Sequence, residues 1–249
     1  MLSKSQISLL KSLHHKKFRS EHGLFLAEGY KSVKEFIDSA YQIEAIYHAP
    51  TIDPNLLKLS RKMNFNEISL NELEKISSLK TPQDIIALIK IPQWPVLSEH
   101  TLKNKFSIVL DGIQDPGNMG TIIRTADWFG IKHIICSEDT VDIYNPKVVQ
   151  ATMGSAAHVN VYYTGLEAFL TKIKLPVFGA LLNGANIYKT DFGSEGLVIM
   201  GNEGNGLRPE IINLVQHAVT IPRMGNAESL NVGIATAIFC SEINGKSYK

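Results

Sequence analysis

Side chains able to bind a substrate crowd the loop that precedes the last predicted helix. Asn226, Glu228, Ser229 and Asn231 offer hydrogen-bonding groups beside the unpaired N–H groups of a helix N-terminus. Such a group of residues can orient a polar substrate or hold an anion. The alternative is a polar turn with ordinary helix caps, because Ser and Asn are common cap residues. The loop alone leaves both interpretations open.

A second group lies in the stretch from Asp111 to Gly130, where Asn118 and Arg124 stand six residues apart. Arg124 falls in a predicted helix made otherwise of small and apolar residues, so its guanidinium needs a partner. An ion pair with Asp115, Asp127 or another carboxylate is one possibility. The other is that its planar fork holds a phosphate or a substrate oxygen.

The third group is LVIMGNEGNGL, residues 197–207, in which three glycines follow a strand and let a ligand approach the backbone closely. Glu203 is either a cap for the next turn or a carboxylate of the site. The glycine order is GxxGxG instead of the GxGxxG of dinucleotide-binding folds, and little chain remains after it. A nicotinamide-dependent oxidoreductase is therefore the weakest hypothesis.

The elements that position these groups alternate along the second half of the chain. The predicted strands are Phe106–Leu110, His133–Cys136, Val159–Tyr163, Val177–Leu182, Leu197–Met200 and Val219–Pro222; the predicted helices are Met119–Phe129, Pro146–Met153, Leu166–Ile173, a short one after Pro209, and a last one capped by Ser229. Short apolar strands separated by helices indicate a parallel sheet covered on both faces. Ligands bind at the carboxyl ends of such strands, and all three polar groups follow strands.

The first half reads as a smaller α/β unit. Predicted helices lie at 3–13, 31–40, 56–61 and 70–77, and predicted strands at 24–26, 43–48 and 85–91. The stretch IPQWPVLSEHTLKN, residues 91–104, contains two prolines and loses periodicity, which places the domain boundary there. The chain is thus predicted to form two domains, 1–95 and 105–249.

Composition limits the class of protein. The chain has 44% hydrophobic and 20% charged residues, a net charge of +1, and two cysteines without CxxC spacing, so no metal site is predicted. No apolar run is long enough for a membrane span, and the amphipathic start does not resemble a secretory signal. A cytoplasmic protein is expected. Residues 1–34 hold seven Lys or Arg against two Glu, so Lys16, Lys17 and Arg19 are predicted to contact the phosphates of a polyanion; the alternative is a solvated helix face.

Together the three motifs resemble a known family. Asn118 to Arg124, GNEGNGL at 201–207 and IPxxGxxxSLN at 221–231 are similar, in order and spacing, to the motifs of SpoU (TrmH-like) RNA 2′-O-ribose methyltransferases of the SPOUT superfamily. The resemblance covers about 140 residues. Residues 17–36 and 78–89 also resemble the small substrate-binding domain that ribosomal-RNA members carry ahead of the catalytic domain.

The resemblance implies a fold that the sequence pattern does not: a parallel-sheet SPOUT domain with a deep C-terminal trefoil knot, which the general rule against threading disfavours. It further implies S-adenosylmethionine as cofactor, held by Gly201, Ile221 and Leu230, and a homodimer formed through the knot. Asn118, Arg124, Glu203, Ser229 and Asn231 match catalytic or substrate-positioning residues. Arg223 and Gly233 depart from the family pattern; Arg223 either contacts a phosphate or is merely exposed.

The predicted reaction is transfer of the cofactor's methyl group to a ribose 2′-hydroxyl, and ribosomal RNA is the leading hypothesis for the substrate. Within the family an arginine at the position of Arg124 is discussed as general base, but a guanidinium is almost never neutral in proteins. Stabilisation of the developing alkoxide and of a phosphate is the role predicted for Arg124. Two alternatives stay open: a transfer-RNA methyltransferase, and a non-catalytic RNA-binding or ribosome-assembly protein on the same fold.

Overall fold

The computed structural model describes residues 1–52 and 63–245. The chain forms two compact units, residues 1–93 with 142–158, and residues 94–141 with 159–249. Residues 142–158, which the sequence placed in the second predicted domain, therefore belong to the first unit. The predicted helix at 56–61 lies outside the described residues. No helix in the described part of the chain has the length and apolar character needed to cross a bilayer.

The first unit is built around a four-stranded mixed sheet with the order β1-β4-β2-β3. Its strands are β1 (Leu24–Glu28), β2 (Ile43–His48), β3 (Phe65–Glu67) and β4 (Ile85–Lys90), and its helices are α1 (Lys4–Ser12), α2 (Lys16–His22), α3 (Tyr30–Ile37), α4 (Leu70–Ile76) and α7 (Pro146–Thr152). Ser3 and Ser69 open α1 and α4 with capping boxes. The sequence reading had missed α2 and β3, both of which are short.

Arg19 corrects one sequence prediction. Its side chain is only 2% exposed, and its guanidinium donates to the Asp142 carboxylate at 2.6 and 3.1 Å. It also donates to the carbonyl oxygens of Leu13 and His14, each at 2.9 Å. A buried charge whose donors are used in this way holds the unit together. The prediction that Arg19 contacts RNA is wrong.

The second unit contains a six-stranded, fully parallel sheet with the order β10-β8-β9-β5-β6-β7. Its strands are β5 (Phe106–Asp111), β6 (His133–Cys136), β7 (Asn160–Tyr163), β8 (Val177–Asn186), β9 (Gly196–Gly201) and β10 (His217–Thr220); its helices are α5 (Glu99–Leu102), α6 (Pro116–Trp128), α8 (Leu166–Lys172), α9 (Pro209–Ile212) and α10 (Val232–Gly245). The prediction of a parallel sheet is confirmed.

Two helices of the second unit begin at other residues than predicted. Helix α6 begins three residues earlier than Met119, with Pro116 in its first turn and the Asp115 carboxylate accepting the Asn118 N–H at 2.8 Å. Gly117 and Gly120 therefore lie in the helix and not in a turn before it. Helix α10 begins at Val232, and the Asn231 side chain, not Ser229, accepts the N–H groups of the first turn.

Strand β8 departs from a regular parallel ladder where it pairs with β10. Gly179 pairs with Ala218 and Ala185 pairs with Val219, so residues 180–184 lie between two consecutive positions of β10. At Gly184 a Cβ atom would come within 2.6 Å of the Ala218 carbonyl carbon, which makes glycine necessary there. This excursion turns residues 180–182 toward the cleft described below.

Candidate active site

Most of the predicted catalytic and cofactor-binding residues gather where the strand order of the second unit reverses. The chain runs outward from β5 through β6 to β7, and β9 then returns to pair with β5 on its other side. Asp111 ends β5 and pairs with Gly201, which ends β9. In open parallel sheets this is the position where the loops separate and leave room for a ligand.

Residues 201–208, here called the glycine loop, are held in a tight turn. Asn202 and Gly206 exchange backbone hydrogen bonds of 2.9 and 3.0 Å. The Asn202 side chain accepts the N–H groups of Gly204 and Asn205 and donates to the Gly112 carbonyl at 2.7 Å. The loop is thus fastened both to itself and to the end of β5.

An ion pair fixes the far end of the glycine loop. The buried Asp111 carboxylate accepts the Arg208 backbone N–H at 2.9 Å and its Nε–H at 2.7 Å. The same hydrogen bond raises the pKa of Arg208, so the guanidinium stays charged. Sequence reasoning missed both residues, although an acidic residue that ends a buried strand is a recognisable signal of a partner.

Three of the predicted catalytic residues form one hydrogen-bonded chain. The Glu203 carboxylate accepts the Asn118 side-chain N–H at 2.9 Å and lies 3.5 and 3.4 Å from the backbone N atoms of Gln114 and Asp115. Asn118 in turn accepts the Asn231 side-chain N–H at 2.8 Å. A carboxylate ahead of the N-terminus of α6 is favoured by the helix dipole. These hydrogen bonds connect the loop after β9 with the start of α6 and the start of α10.

Close helix packing allows this arrangement. A Cβ atom at Gly233 would come within 2.9 Å of Thr121 Cγ2. Gly233, which departs from the family pattern, therefore lets the first turn of α10 approach α6. That approach brings Asn231 within reach of Asn118.

A cleft of about 530 Å³ lies beside the hydrogen-bonded chain. Its lining comes from the glycine loop, the β8 excursion, helix α10 and residues 221–230, here called the exposed loop. Gly201, Ile221 and Leu230, predicted to bind the cofactor, all line it, as do Glu203 and Ser229. Apolar side chains such as Met200, Val219 and Phe239 form its inner surface.

Two predicted catalytic residues are not part of the hydrogen-bonded chain. Arg124 is exposed on α6, does not line the cleft, and forms no ion pair or hydrogen bond with any described residue, so the suggested pairs with Asp115 and Asp127 are absent from that part of the chain. It shares an exposed face of α6 with Thr121 and Trp128, whereas Asn118 lies about 120° around the helix. Ser229 is exposed in the cleft lining.

In the first unit, Lys16 and Lys17 are exposed at the start of α2, and the Lys17 ammonium lies 5.8 Å from the centroid of the Phe18 ring. Both stay available to an anionic partner. Among the described residues no group of His, Cys, Asp and Glu is arranged to hold a metal ion.

Two family descriptions match this sequence. Residues 105–241 match the SpoU rRNA Methylase family, and residues 4–87 match the MRM3-like substrate binding domain. Between them the two matches include most of the chain and every candidate site residue named above.

Whole-chain relatives agree with this assignment. The 23S rRNA (guanosine(2553)-2′-O)-methyltransferase RlmP of Bacillus subtilis is 30% identical over 94% of each chain. A putative TrmH-family RNA methyltransferase from Porphyromonas gingivalis has a solved structure that superposes with a TM-score of 0.89 at 35% identity, covering 99% of both chains. An AdoMet-bound rRNA methyltransferase from Sinorhizobium meliloti gives a TM-score of 0.87 at 28% identity, covering 99% of this chain and 97% of that one.

Proposed function

The chain belongs to the SpoU rRNA methylase family, and we propose that it methylates a ribose 2′-hydroxyl of ribosomal RNA with S-adenosylmethionine as methyl donor. The observation that carries this function is the similarity to rRNA methyltransferases over nearly the whole chain, including the unit ahead of the catalytic one. This favours ribosomal over transfer RNA as substrate. Because the Bacillus subtilis relative is named for methylation of a guanosine of 23S rRNA, a guanosine ribose of the large-subunit RNA is the proposed target.

The cleft fits the cofactor in size and chemistry. Its volume of about 530 Å³ lies within the usual range of about 300 to 1,000 Å³ for small-molecule sites. Apolar walls suit an adenine ring, and the backbone of the glycine loop offers it polar contacts. At Gly201 a Cβ atom would come within 2.5 Å of the Leu207 backbone N, so no larger residue fits there. When bound, S-adenosylmethionine supplies a methyl group already activated by its sulfonium.

The side chains beside the cleft then have to position the ribose. We assign that role to Asn118, Ser229 and Asn231, with Glu203 holding Asn118 through the 2.9 Å hydrogen bond. Correct alignment of the hydroxyl with the methyl carbon is worth as much as about 7 to 11 kcal/mol. Arg124 stabilises the developing alkoxide and the adjacent phosphate, because arginine is cationic in proteins and this one is unpaired among the described residues.

The position of Arg124 supports a homodimer. It lies on an exposed face of α6 together with Trp128, whose side chain is 85% exposed, and α10 carries Ile234, which is 53% exposed. The two helices contact each other, and a second copy packed on them would cover both apolar side chains. We propose that two copies join through these helices and the predicted C-terminal knot, and that Arg124 acts at the partner's cleft.

The first unit is proposed to deliver the RNA through Lys16 and Lys17, since exposed lysines bind polyanions by displacing counterions. This role agrees with the description of the matching family as a substrate binding domain. The proposed site of action is the cytoplasm, where ribosomal RNA of bacterial type is present.

The test is to incubate the purified protein with methyl-labelled S-adenosylmethionine and either ribosomal or transfer RNA that lacks modifications. The RNA is then digested and its nucleosides are analysed by mass spectrometry. We expect label in 2′-O-methylguanosine from large-subunit rRNA. Label only in transfer RNA would overturn the proposed substrate. Cofactor binding without label in free RNA or in ribosomal particles would favour the non-catalytic alternative.

A further inference from the structure

The charged side chains that line the cleft are few and differ in their surroundings. They are Glu203, Arg223 and Glu228. The Glu203 carboxylate is already engaged by Asn118 and by the N-terminal end of α6. Glu228 and Arg223 belong to the exposed loop, and Arg223 is the one cation among the described lining residues.

The guanidinium of Arg223 has most of its hydrogen-bonding capacity free. One of its N–H groups donates to the Ala227 carbonyl at 3.3 Å, a contact within the same loop. A guanidinium carries five N–H donors, and no other described residue accepts from this one. The Ala227 contact holds the side chain along the loop and leaves its fork open to an anion.

We propose that Arg223 binds the carboxylate of the methionyl group of S-adenosylmethionine and thereby selects cofactors that carry it; this inference rests on the proposed function. The cofactor has two positive groups, the sulfonium and the ammonium, and one negative group, the carboxylate. Arg223 is the only described lining side chain of the sign that the carboxylate needs, and a guanidinium matches a carboxylate in bidentate geometry.

An RNA phosphate is the other anion that an arginine here can meet. The location favours the cofactor. Arg223 follows the predicted cofactor-binding residue Ile221 by two positions, and both line the cleft. The hydrogen-bonded chain that positions the ribose belongs instead to α6, the glycine loop and the start of α10, and Ser229 alone among the ribose-positioning residues shares the exposed loop with Arg223. Glu228 on the same loop lies in the cleft lining to accept the ammonium.

The experiment compares two ligands on three proteins by isothermal titration calorimetry without RNA. The ligands are S-adenosylmethionine and its decarboxylated analogue, which keeps the adenosine, the sulfonium and the amine. The proteins are the wild type, Arg223→Met and, as a control for loss of one surface charge, Lys172→Met on the exposed side of α8. Arg223→Lys is a second variant that keeps the charge without the fork.

We expect Arg223→Met to weaken S-adenosylmethionine about tenfold, the size of a lost charge-assisted hydrogen bond at an exposed site, and to leave the decarboxylated analogue within about twofold of the wild type. Lys172→Met should change neither. Arg223→Lys should recover part of the difference.

Equal weakening of both ligands would mean that Arg223 only shapes the cleft and would overturn the inference. No change for either ligand would also overturn it, and a raised KM for RNA in a separate methylation assay of Arg223→Met would then assign Arg223 to a phosphate. Failure of the wild type to bind S-adenosylmethionine would instead overturn the proposed function itself.

Discussion

The two loops that line the cleft are held in place to very different degrees. The glycine loop, residues 201–208, is held by backbone hydrogen bonds between Asn202 and Gly206, by the Asn202 bond to Gly112, and by the ion pair of Arg208 with buried Asp111. In the exposed loop, residues 223–230 are all exposed, and within that stretch the contact of Arg223 with Ala227 is the one side-chain hydrogen bond among described residues.

The difference indicates that the two loops contribute differently to binding. The glycine loop is already ordered before a ligand binds, so binding to it costs little conformational entropy. The exposed loop has few buried contacts, which is the property of segments that open locally at low free energy. We infer that the cofactor binds first against the glycine loop and that the exposed loop then closes over it.

Arg124 lies in neither loop, and its substitution should have the largest effect on turnover. Arg124→Ala should lower kcat about 1,000-fold, in line with the loss of a group that stabilises developing charge. Because Arg124 does not line the cleft, cofactor affinity and melting temperature should stay near the wild-type values. Single-turnover kinetics and calorimetry measure the two effects separately; loss of cofactor binding would show that the arginine has a structural role.

Gly201→Ala should disturb the ordered glycine loop. Its Cβ would lie within 2.5 Å of the Leu207 backbone N, so the turn must shift, at a cost of about 2 kcal/mol. We expect cofactor affinity to fall about 30-fold, as measured by calorimetry.

Gly225→Ala is the matched control in the exposed loop. A Cβ there would have no atom within 4 Å, so affinity should change by less than about threefold. Similar losses for the two variants would contradict the contrast between the loops.

Asp111→Asn tests how firmly the glycine loop is fastened. The variant keeps the shape of the side chain but gives Arg208 a neutral acceptor at the buried end of β5. We expect about 2 kcal/mol less stability in urea unfolding, because a charge-assisted hydrogen bond to a buried group is lost. Glu210→Gln, which removes an exposed carboxylate 3.8 Å from Arg208, should cost less than about 0.5 kcal/mol.

Hydrogen exchange should reveal the smallest and most direct difference. Without ligand, the amides of Asn202 and Gly206 should be protected and those of residues 223–230 should exchange freely. Adding S-adenosylmethionine should slow exchange mainly in the exposed loop. Exchange is followed by mass spectrometry of peptides that cover each loop separately. Equal slowing in both loops would mean that the two loops are equally mobile without ligand.

Much of the second unit is predictable from the sequence because its strands are continuous apolar runs, each ended by a polar or glycine-rich loop. That pattern predicts a parallel sheet and places Asn118, Glu203 and Asn231 at one edge. The family resemblance adds the cofactor. Their hydrogen bonds to one another depend on Gly233 and on the close approach of α10 to α6, which no local pattern indicates.

The predictions that failed depend on distant residues or on helix starts. Arg19 sits in a basic stretch, but its partner Asp142 is 123 positions away, and charge patterns carry no such information. Ser229 and Asn231 are both good caps, so propensity alone does not choose between them. For Arg124 the sequence leaves an ion pair and a substrate contact both open, and the described part of the chain contains no ion pair to it.

The membership of residues 142–158 in the first unit has a consequence for how the protein can be divided. Tyr144 packs against Phe25 with ring centroids 4.5 Å apart and ring planes tilted by 38°, and Asp142 forms an ion pair with Arg19. A fragment beginning at residue 94 would therefore expose that aromatic ring and strip a carboxylate of its counterion. The chain enters the first unit twice. A clean excision at a single linker is thus impossible, and a stable catalytic fragment would require residues 142–158 to be redesigned with a new polar surface.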